Sequence, residues 1–553
     1  MKCTELQITF PDGKIKSIQK GTSLLSVIDD FSVPKENIIG LYINNKAHSL
    51  NEVFEYNSQI SPVLNTEKNG ALIYRRSLCN VLAYCSQKLF PDRRLLIGHS
   101  ISHGYYYTYE NIDDLSEEDV KLLKNQMQST IDKDISIETL KIPYSEAYKI
   151  FKEEGLVTAS KQLEYYAPPV IKINRIEDYC ERNFGPCVKS TGCLKVFDIK
   201  KYGNGFLLRF PLTSTPEKLP EFLDEPKLFS IYEKYKKWGA LLNVTSVASL
   251  NSLIINRKVN DFVNISETFQ EKNIADIAAQ IASRKETKVV LIAGPSSSGK
   301  TTTSKKLSLQ LQAIGYKPKI ISLDNYYLDH SKTPRDENGN LDFECLEALD
   351  IELLNKNLID LFNSKEVIIP SYNFHEGKQY FDEKNKMKLE ENEILIMEGI
   401  HGLNDRLTPK IPNEYKFKLY LSALTQLNLD DHTRISTSDN RLIRRIVRDA
   451  QFRGKPADGT IAMWPSVRKG EEKHIYPFHN NADAILNTAL DYELSVLKTF
   501  AEPLLKCVKP NMKEYAEACR LLKFLENFST IPPTAVPGRS IIREFIGNSS
   551  FKY

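Results

Sequence analysis

The residues of this 553-residue sequence whose types and spacing could do chemistry are concentrated in its second half. The segment "GPSSSGKTTTS" has the GxxxxGK[ST] spacing of a phosphate-binding loop. A strand-like run, "KVVLIAG", precedes it and a helix-like run, "TTTSKKLSLQLQAIG", follows it, so that successive backbone N–H groups and a helix N-terminus would face an anion. The residues predicted to bind ATP are Gly294, Ser296, Ser297, Ser298, Gly299, Lys300, Thr301 and Thr302.

Side chains near this loop could complete a phosphoryl-transfer site. Lys300 would reach the β- and γ-phosphates, and the Thr301 hydroxyl would ligate Mg²⁺. Glu398 ends the strand-like run "EILIMEG" and could hold the metal or its water, the alternative being a surface Glu at a strand end. Asp324 closes the run "KIISLD" and could be the base for an acceptor hydroxyl or a second metal ligand, the alternative being an Asp that caps a turn.

A basic segment, "DNRLIRRIVRDAQFRGK", follows the predicted strands. Its arginines at three- and four-residue spacings would form one or two faces of a helix: Arg441, Arg444, Arg445 and Arg448. Such a stripe suits a lid that clamps phosphates, whereas a solvated helix face or an RNA-binding patch is the alternative. Because the sequence lacks an NKxD motif and the Glu398 strand ends in Glu-Gly rather than Asp-Glu, a kinase is favoured over a switch GTPase or a motor.

The predicted strands and helices that must position these residues indicate a multidomain α/β protein. Short apolar runs that alternate with helical segments predict a parallel sheet with flanking helices. The N-terminal segment predicts a β-grasp module, with strands "LQITF" and "KIKSI" and a helix capped by Thr22, and an α+β domain follows it. The predicted domains are 1–65, 70–225, 226–285 as a helical connector, 286–505 as the phosphate-loop domain, and 506–553 as a C-terminal helical segment and tail.

Composition limits the class of protein. Hydrophobic residues make up 41% and charged residues 26% of the chain, as in ordinary globular proteins, and the net charge is only +3. No apolar run approaches the roughly 18 residues of a membrane span. The nine cysteines lack CxxC pairs and predict reduced thiols, so we expect a cytoplasmic protein without a membrane partner.

Six ordered motifs identify a family. The segments "GPSSSGKTTTS", "SLDNYY", "DFECLEALD", "IPSYNF", "LIMEGIHG" and "RLIRRIVRDAQFRGK" resemble those of the uridine kinase and phosphoribulokinase family. The resemblance implies that Asp324 is the base facing the sugar 5′-hydroxyl, assisted by Lys300, with Thr301 and Glu398 at Mg²⁺. It also implies a nucleoside pocket of Tyr327, Tyr372 and Phe374, and a phosphate-facing lid of Arg445, Arg448, Arg453 and Lys455.

Two departures from the family pattern concern the acceptor. Uridine kinases usually place an Asp against the ribose hydroxyls, and this chain aligns Glu344 there, with Asp342 as the alternative. After Phe374 the sequence "HEGKQYF" differs from the usual His-containing pattern, and His375 is the candidate substitute. The resemblance therefore leaves the base specificity open.

The N-terminal half resembles other proteins. Residues 4–65 are similar to the TGS domain, and residues 70 to about 212 are similar to the editing-type domain of threonyl-tRNA synthetases. Where that family has its zinc-binding HxxxH, this chain has Arg76 and Asn80, and Cys187 replaces a later histidine. His99 and His103 have the same spacing but precede an aromatic strand, so the sequence predicts a binding or scaffolding role rather than zinc-dependent editing.

Together these patterns predict an ATP- and Mg²⁺-dependent kinase that converts uridine or cytidine to the 5′-monophosphate. The alternatives are a kinase for another small hydroxyl acceptor, such as a sugar phosphate, and an RNA-associated ATP-binding regulator. Contact of the N-terminal half with RNA, and oligomerisation, are left open by the sequence.

Overall fold

The computed structural model describes residues 5–112, 114–336 and 339–552. The chain forms two compact units: the first unit comprises Met1–Arg257, Gln426–Ser436 and Glu502–Thr530, and the second unit comprises Lys258–Thr425, Thr437–Ala501 and Ile531–Tyr553. The finer division into five domains stays a prediction. Among the described residues, no helix has both the length and the apolarity needed to cross a bilayer.

The first unit begins with a five-stranded sheet in the order β2-β1-β5-β3-β4. Its strands are β1 (Glu5–Thr9), β2 (Ile15–Gln19), β3 (Ile38–Ile43), β4 (Lys46–His48) and β5 (Ser58–Leu64). The predicted β1–β2 hairpin is present, but the predicted helix is a 3-10 segment over Leu24–Asp30. Its cap is Ser23, whose Oγ accepts from the Leu25 N–H, and not Thr22, whose hydroxyl donates to the Gln19 carbonyl.

An α+β region follows, with a four-stranded sheet in the order β11-β12-β7-β6 and a three-stranded sheet in the order β10-β9-β8. Its elements are α1 (Lys68–Leu89), β6 (Leu95–Ile101), β7 (Gly104–Tyr109), α2 (Glu117–Asp132), β8 (Glu138–Pro143), α3 (Tyr144–Glu153), α4 (Val157–Leu163), β9 (Val170–Ile176), β10 (Tyr179–Arg182), β11 (Asp198–Tyr202) and β12 (Gly205–Arg209). The predicted cap of α2 is present, since Ser116 Oγ accepts from the Asp119 N–H at 3.0 Å.

The histidine pair of this region lies on a strand and its turn, not on one face of a helix. His99 belongs to β6 and is buried, and burial lowers its pKa to about 3. His103 has a φ of 58° in the turn before β7. The strand predicted for "YYYTY" is thus confirmed.

Three helices occupy the stretch predicted to be helical. They are α5 (Pro226–Leu241), α6 (Val247–Ile255) and α7 (Val259–Ser283). The first unit contains α5 and α6, and the second unit contains α7.

The second unit is built on a five-stranded, all-parallel sheet. The remaining elements of the chain are β13 (Val289–Ala293), α8 (Lys300–Ala313), β14 (Lys317–Ser322), α9 (Ile351–Phe362), β15 (Val367–Asn373), β16 (Lys378–Met387), β17 (Glu393–Gly399), β18 (Lys416–Ser422), α10 (Thr437–Phe452), α11 (Ala457–His474), β19 (Ala484–Asn487), α12 (Glu493–Lys506), α13 (Tyr515–Leu525) and α14 (Arg543–Ile546). The sheet order is β14-β17-β13-β18-β19, and β13 is buried along its whole length. A central strand covered on both faces is what the continuous apolar run predicts.

The assignment of strands to this sheet needed correction. The run "KEVIIPSY" forms β15, which pairs antiparallel with β16 in a separate two-stranded sheet instead of joining the parallel sheet. The parallel sheet takes β18 and β19, which the sequence patterns had not singled out. In β18, Lys416 and Lys418 are buried: Lys416 Nζ donates to the Thr408 carbonyl, and Lys418 pairs with Asp405.

Candidate active site

The phosphate loop lies between β13 and α8, where the chain leaves the carboxyl edge of the sheet. Gly299, immediately before α8, has a φ of 84°, and Ser297 has a φ of 58°. A Cβ at Gly299 would also lie 2.7 Å from Ile541 Cγ2. The second glycine of the motif is therefore required both by the left-handed backbone and by close packing.

Hydrogen-bond donors of the phosphate loop and of the first turn of α8 donate to oxygen atoms of the protein itself. Lys300 Nζ donates to the Gly294 carbonyl at 2.9 Å. The Ser296 N–H donates to Glu471 Oε1 at 3.0 Å, and the Thr302 N–H donates to Glu544 Oε2 at 3.2 Å. Two carboxylates thus approach backbone N–H groups of the kind that bind phosphate in such loops.

Strand register brings the predicted carboxylates to the same edge. Glu398 in β17 is the Cα partner of Ile292 in β13 and of Ser322 in β14. Ser322 Oγ donates to Glu398 Oε1 at 3.3 Å and also accepts from the Asp324 N–H at 3.3 Å. The end of β14 therefore connects Asp324 to Glu398 through one hydroxyl.

The electrostatics show that these acids share one environment. Burial raises the pKa of Glu398 to about 7, and the charges of Asp324 and Glu544 add to this rise while Lys300 opposes it. Desolvation also raises the pKa of Asp324, although part of the residue is exposed, and Lys300 and Arg453 oppose the rise. Lys300, Asp324 and Glu398 therefore lie close enough to control one another's charge.

Of Glu344 and Asp342, the two candidates for the ribose-facing acid, Glu344 is the one that interacts electrostatically with Lys300 and Asp324. Asp342 Oδ1 accepts from the Glu344 N–H at 3.0 Å, which commits Asp342 to the local turn. Burial and repulsion from Glu471 raise the pKa of Glu344 to about 7, and Lys300 opposes the shift.

Three aromatic side chains form a cluster beside these acids. The Tyr327 ring lies 5.6 Å from Tyr372 and 6.2 Å from Phe374, and the Tyr372 and Phe374 rings are 5.0 Å apart. Phe374 is 63% exposed, so the cluster has one open face. The structure thus brings together the three residues that the resemblance gives to a nucleoside pocket, and the open ring could stack against a planar ligand.

His375, Arg453 and Lys455 are placed less centrally. His375 is exposed in the turn between β15 and β16, where its N–H donates to Asn373 Oδ1. Arg453 Nη1 lies 3.5 Å from Asp449 Oδ1, and Lys455 Nζ contacts the sulfur of Met463. Of the three, only Arg453 also acts on the charge of Asp324.

The arginines of α10, predicted to lie on one or two faces of a helix that forms a phosphate-clamping lid, divide into two sets. Arg441 and Arg444 are completely buried and ion-paired, Arg441 with both oxygens of Glu471 at 2.6 Å and Arg444 with Glu493 at 2.5 Å. Their acids lie 30 and 49 residues away in sequence, so no local acid run indicated them. These two arginines are buried structural residues, and they also support the phosphate loop: Arg444 Nη1 donates to the Ser297 carbonyl at 3.2 Å, and Glu471, the partner of Arg441, accepts from the Ser296 N–H.

Arg445 and Arg448 remain at the phosphate loop. Arg445 Nη1 donates to Ser296 Oγ at 2.7 Å. Arg448 lies 3.8 Å from Glu544, and burial together with repulsion from Arg453 lowers its pKa to about 10. Sequence reasoning missed Glu471, Glu493 and Glu544, and only the overall charge balance could have signalled that the arginines needed partners.

The donor set at the loop suits a hard divalent cation. The Thr301 hydroxyl and the carboxylates of Glu398 and Asp324 offer only oxygen ligands, which Mg²⁺ prefers. Burial is the main cause of the raised pKa values of both acids, and a bound cation would favour their ionised forms.

Two parts of the chain are similar to two different groups of known proteins. Residues 289–495 match the family described as Phosphoribulokinase / Uridine kinase family. The threonine–tRNA ligase of Desulforamulus reducens is 27% identical over 258 residues, covering 44% of this chain and 40% of the relative. That of Francisella philomiragia subsp. philomiragia is 27% identical over 203 residues, covering 36% of this chain and 32% of the relative. The chain thus spans less than half of the length of either relative.

Solved structures are also similar over part of the chain. A possible uridine kinase from Bacillus stearothermophilus is 19% identical, with a TM-score of 0.24 and coverage of 36% of this chain and 89% of that one. The YGR205w protein is 17% identical, with a TM-score of 0.24 and coverage of 35% and 80%. Because both TM-scores are low, the assignment rests on the family match and on the sheet itself. Residues 289–495 match the phosphoribulokinase/uridine kinase family and contain the all-parallel sheet with its phosphate loop, in a chain whose N-terminal part is similar to threonine–tRNA ligases.

Proposed function

We propose that the second unit transfers the γ-phosphoryl group of ATP to the 5′-hydroxyl of a pyrimidine nucleoside, converting uridine or cytidine to the monophosphate. The observation that carries this proposal is the convergence of Lys300, Asp324 and Glu398 at one edge of the parallel sheet. A loop that only bound nucleotide would have no need of a carboxyl aimed at the acceptor side.

In the proposed reaction, Asp324 accepts the proton of the attacking hydroxyl while Lys300 turns from the Gly294 carbonyl to the transferred phosphoryl group. Thr301 and Glu398 would hold Mg²⁺, which supplies charge neutralisation at the β- and γ-phosphates. Arg445 and Arg448 add positive charge beside the loop as negative charge moves onto the leaving oxygen.

The aromatic cluster supports a base-bearing acceptor over a sugar phosphate. Tyr327, Tyr372 and the exposed ring of Phe374 offer a stacking surface, which a planar base can use and a sugar phosphate cannot. Glu344 would accept hydrogen bonds from the ribose hydroxyls. Residues 289–495 match a family that includes uridine kinases by its description, which is consistent with this choice.

The test is direct. The full-length protein is incubated with ATP and Mg²⁺ and offered uridine, cytidine, adenosine, guanosine and ribulose 5-phosphate, with Lys300→Met as the inactive control. We expect pyrimidine 5′-monophosphate to form with wild-type protein only. Phosphorylation of ribulose 5-phosphate alone would favour the sugar-phosphate alternative. If no acceptor is phosphorylated while tRNA binds with a strong salt dependence, the kinase proposal fails.

A further inference from the structure

The first unit contains a cavity of about 310 Å³ that the phosphoryl-transfer reaction does not use. Its walls come from β4, α1, β9, the segment 182–186 and α13. A volume of this size is at the lower end of the range for small-molecule sites, which is roughly 300–1,000 Å³.

The cavity is strongly cationic. Two acids line it, Glu52 and Glu526, so that positive charges exceed negative ones by four before His48 is considered. Its six basic residues are Lys46, Arg76, Lys172, Arg182, Arg520 and Lys523. The whole chain has a net charge of only +3, so the excess is a local feature of this cavity.

Only two of the six cations have a carboxylate partner among the described residues. Arg520 is paired with Glu517 at 2.8 Å, and Lys172 lies 3.5 Å from Glu52. The others use neutral oxygens where they have a partner: Arg76 donates to the Pro186 carbonyl at 2.8 Å, and Lys523 to the Asn183 carbonyl at 3.2 Å. Buried cations are normally paired with anions, because desolvation is otherwise costly.

Arg182 gives the most specific indication of a ligand. The residue is only 8% exposed, and its Nη2 donates to Asn527 Oδ1 at 2.9 Å. Its Nη1 is buried and has no hydrogen-bond partner within residues 5–112, 114–336 and 339–552. A buried guanidinium N–H left unsatisfied in a cavity wall is a site where an oxygen acceptor is expected.

Lys523 shows that the cations act on one another. The residue is exposed in part, but desolvation of its ammonium group lowers its pKa to about 8, and repulsion from Lys172, Arg76, Arg182 and Lys46 contributes to the shift. The fold therefore holds these positive charges together against their mutual repulsion, an arrangement that an anion would stabilise.

Arg76 also shows why this cavity does not suit a metal ion. It stands at a position that the synthetase resemblance gives to a zinc-binding histidine, and the next such position, Asn80, donates to Cys187 Sγ at 3.4 Å. A permanently charged guanidinium repels a metal cation but binds phosphate oxygens with two parallel hydrogen bonds.

We propose that this cavity binds a small phosphate-bearing molecule of about nucleotide size, with its phosphate held by Arg76, Arg182 and Lys523. The half-buried rings of Tyr166 and Phe184 also line the cavity and would contact a base. A small ligand is favoured over an RNA strand because the six cations surround one cavity and Arg182 is buried in its wall, although Lys46 and Lys523 are exposed. A nucleic-acid backbone is instead followed by rows of exposed lysines and arginines.

The experiment uses full-length protein carrying Lys300→Met, so that binding at the phosphate loop is weakened and failure of the kinase proposal leaves the result interpretable. Inorganic pyrophosphate, UMP and UTP are titrated by calorimetry at low salt. We expect at least one of them to bind, and a second change, Lys523→Gln or Arg182→Gln, to weaken that binding roughly tenfold or more. The matched control Lys121→Gln, an exposed lysine on α2, should leave the affinity unchanged.

Three outcomes would overturn the proposal. The first is that none of the three probes binds. The second is that Lys523→Gln binds them as tightly as its parent, a comparison that holds even if Arg182→Gln fails to fold, because removing Lys523 relieves repulsion. The third is that only an RNA oligonucleotide ending in CCA binds and depends on these residues, which would make the cavity an RNA site.

Discussion

Both the backbone N–H and the hydroxyl of Thr302 donate to a single oxygen of Glu544, at 3.2 and 2.7 Å. Thr302 is in the first turn of α8, and Glu544 lies on α14, 242 residues further along the chain. The N-terminus of a helix behind a phosphate loop is a site for phosphate. A carboxylate of the C-terminal segment thus occupies hydrogen-bond donors that ATP is expected to use.

Replacing Glu544 with Gln should tighten ATP binding. A neutral amide oxygen forms weaker hydrogen bonds with Thr302 than a carboxylate does, and it does not repel the incoming phosphates. We expect the KM for ATP to fall roughly three- to tenfold. The exposed Glu414→Gln variant of the same unit is the control for loss of one negative charge. Weaker ATP binding in Glu544→Gln would mean instead that the carboxylate holds the loop in its binding shape.

The variant Asp324→Asn should separate nucleotide binding from transfer. The amide cannot accept the acceptor's proton, so kcat should fall about 10²- to 10⁴-fold. No described hydrogen bond joins the Asp324 carboxyl to the loop, so ATP affinity should change far less than kcat does, although Asp324 and Lys300 interact through their charges. The two quantities are measured by initial rates and by titration with a non-hydrolysable ATP analogue. Turnover near the wild-type rate would remove Asp324 from the role of base.

Acceptor binding should depend on pH through Glu344. Its pKa is about 7, so the carboxylate that would accept the ribose hydroxyls is mostly present at pH 8 and mostly protonated at pH 6. We expect the KM for the nucleoside, measured at saturating ATP, to rise as the pH falls across this range. Glu344→Gln should have a high KM that hardly varies with pH. A pH-dependent KM that persists in the Gln variant would assign the titration to another group.

Two adjacent arginines of α10 should behave oppositely. Arg444→Met leaves Glu493 buried without its cation, and loss of one partner of a buried pair costs about 3–5 kcal/mol. Arg445→Met should lower the free energy of unfolding less than Arg444→Met does, because its partner Asp449 keeps Arg448 and Arg453 nearby. It should reduce kcat about 10²-fold, because Arg445 contacts the loop at Ser296. Denaturant unfolding and initial rates check both values. Equal loss of stability in the two variants would contradict the division of the helix into core and site arginines.

The elements next to the phosphate loop could be predicted because their signals are local. A continuous apolar run, a loop of fixed spacing and a helix stand in sequence at β13, 294–299 and α8, and each segment forms what its own pattern indicates. Local signals do not show which strand a given strand pairs with. Since β15 and β17 have similar apolar runs, the sequence could not show that β15 would pair with β16 and stay out of the parallel sheet.

The same limit applies to the site. Lys300, Asp324 and Glu398 could be placed together because parallel strands bring their carboxyl ends to one edge. The carboxylates of Glu471, Glu493 and Glu544 could not, since each reaches α10 or the loop from a distant element. Arg441 and Arg444, two of the arginines predicted to form the lid, are therefore buried.

Lys523 allows a test of the cationic cavity that needs no ligand. Its pKa of about 8 compares with 10.5 for an ordinary lysine, so below pH 8 the folded protein bears the full cost of holding this charge. Stability should then rise with pH between about 8 and 10.5, where the unfolded chain still binds the proton and the folded chain does not. Lys523→Gln removes the charge and should raise the free energy of unfolding at pH 7, by less than the full pKa shift implies because the exposed part of the lysine is screened by solvent. The gain should shrink toward pH 10.5 as the wild-type lysine loses its proton, whereas Lys121→Gln should show no such trend. Denaturant unfolding at pH 7, 9 and 10.5 measures the difference, and a Gln variant less stable than wild type at pH 7 would mean that an anion or another acid already balances the cluster.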